Sequence, residues 1–65
     1  NEGLIGKTMR VLVGGYDRKN GYLTGHTEGK IVIRFKSKDR NLIGSMVNVL
    51  VTSATALSIE GELTD

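Results

Sequence analysis

In the stretch YLTGHTEGKIVIRF, residues 22–35, side chains able to hold a polyanion recur at even spacing: Tyr22, His26, Lys30 and Arg34. On extended chain, residues of one parity fall on one face, because side chains alternate with period two. That face offers one stacking ring, one titratable ring and two cations. RNA is gripped by this combination, a charged surface tracking the phosphates and rings receiving exposed bases. Arg18 and Lys19 upstream, and Lys36, Lys38 and Arg40 downstream, extend the charge into two flanking segments. Phosphate contacts of this kind fix position without reading sequence. Two tyrosines, one phenylalanine and no tryptophan leave little for strong base readout.

Catalytic constellations are missing from the pattern. A nucleophile needs an activating base and a group to orient it. His26, the single histidine, is the only candidate base, and no cysteine accompanies it. His26 with Glu28 makes a conceivable proton pair, and a plain surface contact is the alternative. One histidine without cysteine supplies no metal-ligand set of usual spacing. The glycines at 3, 6, 14, 15 and 21 fit no phosphate-loop pattern. The domain is therefore expected to be non-catalytic by itself, with no metal and no cofactor of its own.

The charge is segregated. From Lys7 to Arg40 lie all nine basic residues and only Asp17, Glu28 and Asp39, a net of +6 within a chain of formal charge +2. Such asymmetry suggests a polyanion-binding face; an ordinary solvated surface is the competing explanation. Sixty-five residues make one small domain without disulfides, so stability has to come from one closed core. No run of about 18 apolar residues exists, and neither a membrane-spanning helix nor a signal peptide is expected. Absence of cysteine permits a reducing compartment. A start at Asn1 suggests a domain cut from something longer.

The elements that must carry these residues read as strands. Short β-branched runs separated by turn signals point to an all-β domain. Lys7–Tyr16 alternates, with Met9, Val11 and Val13 opposite Thr8, Arg10 and Leu12. Asn20-Gly21 signals a turn. Thr27-Glu28-Gly29 predicts a three-residue hairpin with Gly29 left-handed, pairing His26 with Lys30, Thr24 with Val32 and Tyr22 with Arg34. Leu23, Gly25, Ile31, Ile33 and Phe35 then form the core face. Lys36–Gly44 leaves room for a loop or a single turn. Ser45–Ala54 is a strand with Val47, Val49 and Val51 inward, and Ala56–Leu63 another, with Leu57, Ile59 and Leu63 inward. Five short strands with glycines at bends predict a small five-stranded antiparallel β-barrel, OB-like or SH3-like.

Taken together, LTGHT (23–27), IVIRF (31–35), NLIGSMVNVLV (41–51) and ATALSIEGEL (54–63) resemble the TRAM domain, and GKTMRVLVGG (6–15) resembles its first strand. The resemblance covers nearly the whole chain. More narrowly, it is to the TRAM domain at the carboxyl end of radical-SAM tRNA methylthiotransferases; ribosomal-protein methylthiotransferases come second. It implies a five-stranded OB-like barrel that binds tRNA near the anticodon and presents it to an adjoining radical-SAM domain of the same cytoplasmic parent chain. Iron–sulfur clusters and S-adenosylmethionine would belong to other domains of that parent. His26 stands where the family pattern has arginine, and Gly14 where glutamate is common. A histidine titrates near ~6.5, so a phosphate contact at His26 would strengthen below about that pH.

The expected interface is thus Arg18, Lys19, Tyr22, His26, Lys30, Arg34, Lys36, Lys38 and Arg40, with Lys30 and Arg34 on phosphates and Tyr22 against a base or ribose. Two other classes stay open. A peptide-binding module would use an aromatic groove, for which the aromatics are few. A structural cap would pack Met46, Leu50 and Val32 on a neighbouring domain of the parent.

Overall fold

The computed structural model describes residues 2–64. Alternation does most of the sorting. Val11 and Val13, Leu23, Ile33 and Phe35, Val49 and Val51, and Ile59 are buried, and each lies two residues from another inward-facing position of its run. These runs are β1 (Thr8–Tyr16), β2 (Tyr22–His26), β3 (Val32–Lys36), β4 (Met46–Ala54) and β5 (Ile59–Thr64). Leu4, from a short 3-10 turn at Glu2–Leu4, and Leu42 and Ile43, at a second turn over Arg40–Leu42, pack against this core. Asp39 caps the second turn, its carboxylate accepting from the Asn41 N–H at 3.0 Å.

The sheet closes on itself in the order β1-β2-β3-β5-β4. Closure leaves no free edge to recruit another chain. The long β1 makes this possible by pairing with β4 through its first half and with β2 through its second, with a bulge between Val13 and Gly15. Bulges bend a strand and sharpen its twist. One seam departs from the expected antiparallel barrel. β3 and β5 run parallel, with Arg34 opposite Glu60 and Phe35 opposite Gly61, so the barrel is mixed.

Two glycines let backbones approach. A Cβ at Gly25 would meet the Leu12 carbonyl and the Val11 side chain, and one at Gly61 would meet the Val49 side chain and the Leu50 carbonyl. Gly61 therefore takes a core position on β5. Leu57, expected inside, is 96% exposed. It lies in a turn where the Thr55 hydroxyl accepts from the Leu57 and Ser58 N–H groups, which swings it away from the barrel. Leu63, also expected inside, is exposed near the end of β5.

The β2–β3 hairpin differs from its expected register by two residues. Tyr22 pairs with Lys36, Thr24 with Arg34 and His26 with Val32. The connection is Thr27–Ile31, closed by the Thr27 N–H to the Ile31 carbonyl at 3.0 Å. Thr27 is buried, and its hydroxyl accepts from the Ile31 N–H at 3.2 Å. The left-handed residue is Lys30, at φ 64, rather than Gly29. A shift of two preserves which side chains face the core, since the pleat repeats every two residues.

Candidate nucleic-acid interface

The outer face of β2 and β3 carries Tyr22, His26 and Arg34 as expected, but the charged groups sort into two environments. The first is a closed network. Arg34 Nε lies 3.3 Å from Asp17 Oδ2, and Arg34 Nη1 lies 3.8 Å from Glu60 Oε2. Asp17 Oδ2 also accepts from the Lys19 N–H at 2.9 Å, which shapes the Asp17–Gly21 loop. The Lys19 ammonium reaches both oxygens of Glu60 at 3.4 Å and sits 4.4 Å from the centre of the Tyr22 ring. Desolvation pulls the Lys19 pKa down, but the Glu60 carboxylate and the Tyr22 phenol outweigh it, so the value is raised above 10.5. The parallel β3–β5 seam creates this network, because it sets Arg34 opposite Glu60.

The second environment is open. Arg18, Lys30, Lys36, Lys38 and Arg40 are exposed and form no ion pair among the described residues. Arg18, Lys36 and Lys38 gather at one rim of the barrel, and Arg40 follows farther along the same segment. The Ser37 N–H donates to the Gly21 carbonyl at 3.0 Å, and Tyr22 pairs with Lys36, so the loop bearing Arg18 is stitched to the segment bearing Lys36, Lys38 and Arg40. Between them lies a hollow of about 170 Å³ lined by Tyr16, Asn20, Gly21, Tyr22, Ser37 and Lys38. Tyr16, which the sequence reading did not select, is 65% exposed there. Its place in YDRK, just ahead of Arg18 and Lys19, was the available signal.

Lys30 and His26 lie at the opposite end of the hairpin. They border a hollow of about 310 Å³ with Leu12, Thr27, Glu28 and Met46. Register places Met46 beside Leu12, Leu12 beside His26 and His26 beside Val32, a row of exposed side chains across four strands. The interface expected as one continuous face is therefore a cationic rim, a neutralised middle and a mixed far end.

A model of the TRAM domain matches residues 3–64. The chain belongs to the TRAM domain family. Similar proteins include the tRNA-2-methylthio-N(6)-dimethylallyladenosine synthases of Hahella chejuensis, 40% identical over 95% of this chain, and of Cellvibrio japonicus, 39% identical over 92%. That of Acetivibrio thermocellus is 38% identical over 97%. This TRAM domain spans 14% of the Hahella protein and 13% of the other two. Among the described residues of the TRAM domain no helix is long and apolar enough to cross a membrane.

Proposed function

We propose that this TRAM domain is an RNA-binding accessory unit that holds tRNA, in its anticodon region, for a methylthiotransferase catalytic region elsewhere in a longer chain. The observation that carries the reading is the pair of basic segments, Arg18 on one and Lys36, Lys38 and Arg40 on the other, joined by the Gly21–Ser37 hydrogen bond and without a carboxylate partner among the described residues. Kinship with tRNA-2-methylthio-N(6)-dimethylallyladenosine synthases supports tRNA as the polyanion. Lysines and arginines on two coupled loops can hold a phosphate backbone without demanding a sequence. Arg34 contributes by shaping the loop through Asp17, and Lys30 adds a contact at the far end of the hairpin. The domain positions RNA and does no bond chemistry. Its residues do not suit an iron–sulfur cluster, since there is no cysteine and one exposed histidine. Clusters and S-adenosylmethionine sit, in this reading, in other domains of the parent.

The test is fluorescence anisotropy with a labelled tRNA anticodon stem-loop across a salt series. Wild type should bind weakly, and Lys36→Glu with Lys38→Glu should weaken binding and flatten the slope of log K against log salt by about 1.4 to 1.8. Lys36 and Lys38 suit the test because both are exposed and unpaired among the described residues, so the fold should survive. A folded double variant that binds like wild type would overturn the rim as the interface.

A further inference from the structure

We infer that the rim hollow lined by Tyr16, Asn20, Gly21, Tyr22, Ser37 and Lys38 is a nucleobase site that takes one unstacked base, with adenine preferred. The inference rests on the RNA reading above and adds to it a site that recognises a base rather than a phosphate. Several observations converge on it. Tyr16 ends β1 with 65% of its surface exposed, although a tyrosine normally buries much of its ring. The hollow holds about 170 Å³, the scale of a single planar ring and far too small for a peptide groove. Both tyrosines of the chain line it. One side of the Tyr22 ring is already covered by the Lys19 ammonium at 4.4 Å, which leaves Tyr16 as the more available stacking surface.

Asn20 supplies the polar edge. Its side chain makes no hydrogen bond among the described residues, and a carboxamide pairs in two-point fashion with the amino group and ring nitrogen of adenine. The left-handed backbone of the turn falls on Gly21, at φ +86, so Asn20 is not needed to make the turn. Lys38, on the same wall and without a carboxylate partner among the described residues, is placed for the phosphate of the bound nucleotide. A base entering here would be anchored by stacking, read at one edge and held by its phosphate, three chemically different contacts in one hollow.

The experiment uses this chain with isotope-labelled tyrosine rings and backbone amides, titrated with oligoadenylate and oligouridylate of about six nucleotides. Inorganic polyphosphate serves as a polyanion without bases. Oligoadenylate should move the Tyr16 ring signals by ring-current shifts and bind about fivefold tighter than oligouridylate. Polyphosphate should move only the amides of the basic loops. Tyr16→Ala should lose about tenfold in affinity for oligoadenylate with polyphosphate binding unchanged, while Tyr16→Phe keeps the wild-type affinity. Asn20→Ala should erase the preference for adenine. Oligonucleotide binding that shifts loop amides but leaves Tyr16 rings unmoved would overturn the base site and leave the RNA reading standing. Tyr16 shifts with equal affinity for both oligonucleotides would overturn the preference for adenine. No binding of either oligonucleotide at low salt would overturn both readings.

Discussion

Glu60 lies within ion-pair distance of two cations that would otherwise face solvent, Lys19 at 3.4 Å and Arg34 at 3.8 Å. A phosphate arriving at this part of the face has to compete with a carboxylate already in place. Removing that competitor should therefore strengthen RNA binding rather than weaken it. Glu60→Gln leaves Lys19 with only the Tyr22 ring beside it, whereas Arg34 keeps Asp17 at 3.3 Å. We expect a gain of about twofold to fivefold in affinity for an anticodon stem-loop at low salt, disappearing as the Debye length contracts. Exposed ion pairs contribute little, so the accompanying loss in stability should be small. Affinity equal to wild type would mean that Lys19 lies outside the RNA path. The part Lys19 plays in its pair with Glu60 does not respond to pH near neutrality. Lys19 has a raised pKa, so its contribution is complete below 10.5 and is lost only as pH climbs past the folded value.

At the scale of strands and turns, the sequence carried the faces but not the partners. Period-two alternation marks Val11, Leu23, Phe35 and Val49 as inward wherever their strands pair, so the five strands and most of the core were legible. A hairpin slipped by two residues has the same inward set, so alternation was blind to the true register at Thr27–Ile31. The buried Thr27 hydroxyl, which closes that loop, leaves no periodic trace. The parallel β3–β5 seam was hidden for a related reason: it joins segments separated by β4, and nothing local announces it. With it went the Arg34–Glu60 pairing, and hence the division of the basic face. Gly25 and Gly61 did leave a trace, as glycines at core positions of strands. Gly25→Ala should be severely destabilising, because its Cβ meets the Leu12 carbonyl, a backbone atom that cannot rotate aside. Overpacking of this kind costs about 1–3 kcal/mol, and each kcal/mol lowers the midpoint of so small a domain by about 4–8 °C. Gly14→Ala is the control, since its nearest neighbour is the Thr24 carbonyl at 3.9 Å. Calorimetry should separate the two; equal midpoints would mean that the seam between β1 and β2 is looser than its geometry.

The whole molecule has a formal charge of +2, yet its central stretch is +6 and its ends are acidic. What an RNA meets is neither number but the count of cations without an internal partner. Among the described residues seven side chains lack a carboxylate partner; five of them, Arg18, Lys30, Lys36, Lys38 and Arg40, are spread over both ends of the β2–β3 hairpin, and Lys7 and Arg10 lie outside it. Each phosphate neutralised in a single strand changes the salt slope by about 0.7. Arg18, Lys36, Lys38 and Arg40 alone therefore give a slope of about −3, and all five hairpin cations about −3.5. Engagement of Lys19 and Arg34 as well would bring it to about −5, which requires both to leave their carboxylates. A slope of about −3 to −3.5, measured by anisotropy with a flexible single strand, is the expected result. It describes a weak handle, which serves well when tethered, because a linked site acts at high effective concentration without new contacts. A slope near about −5 would mean instead that two further cations engage; if it survives Lys7→Gln with Arg10→Gln, the Asp17–Glu60 network opens on binding, and the closed face is one state of two.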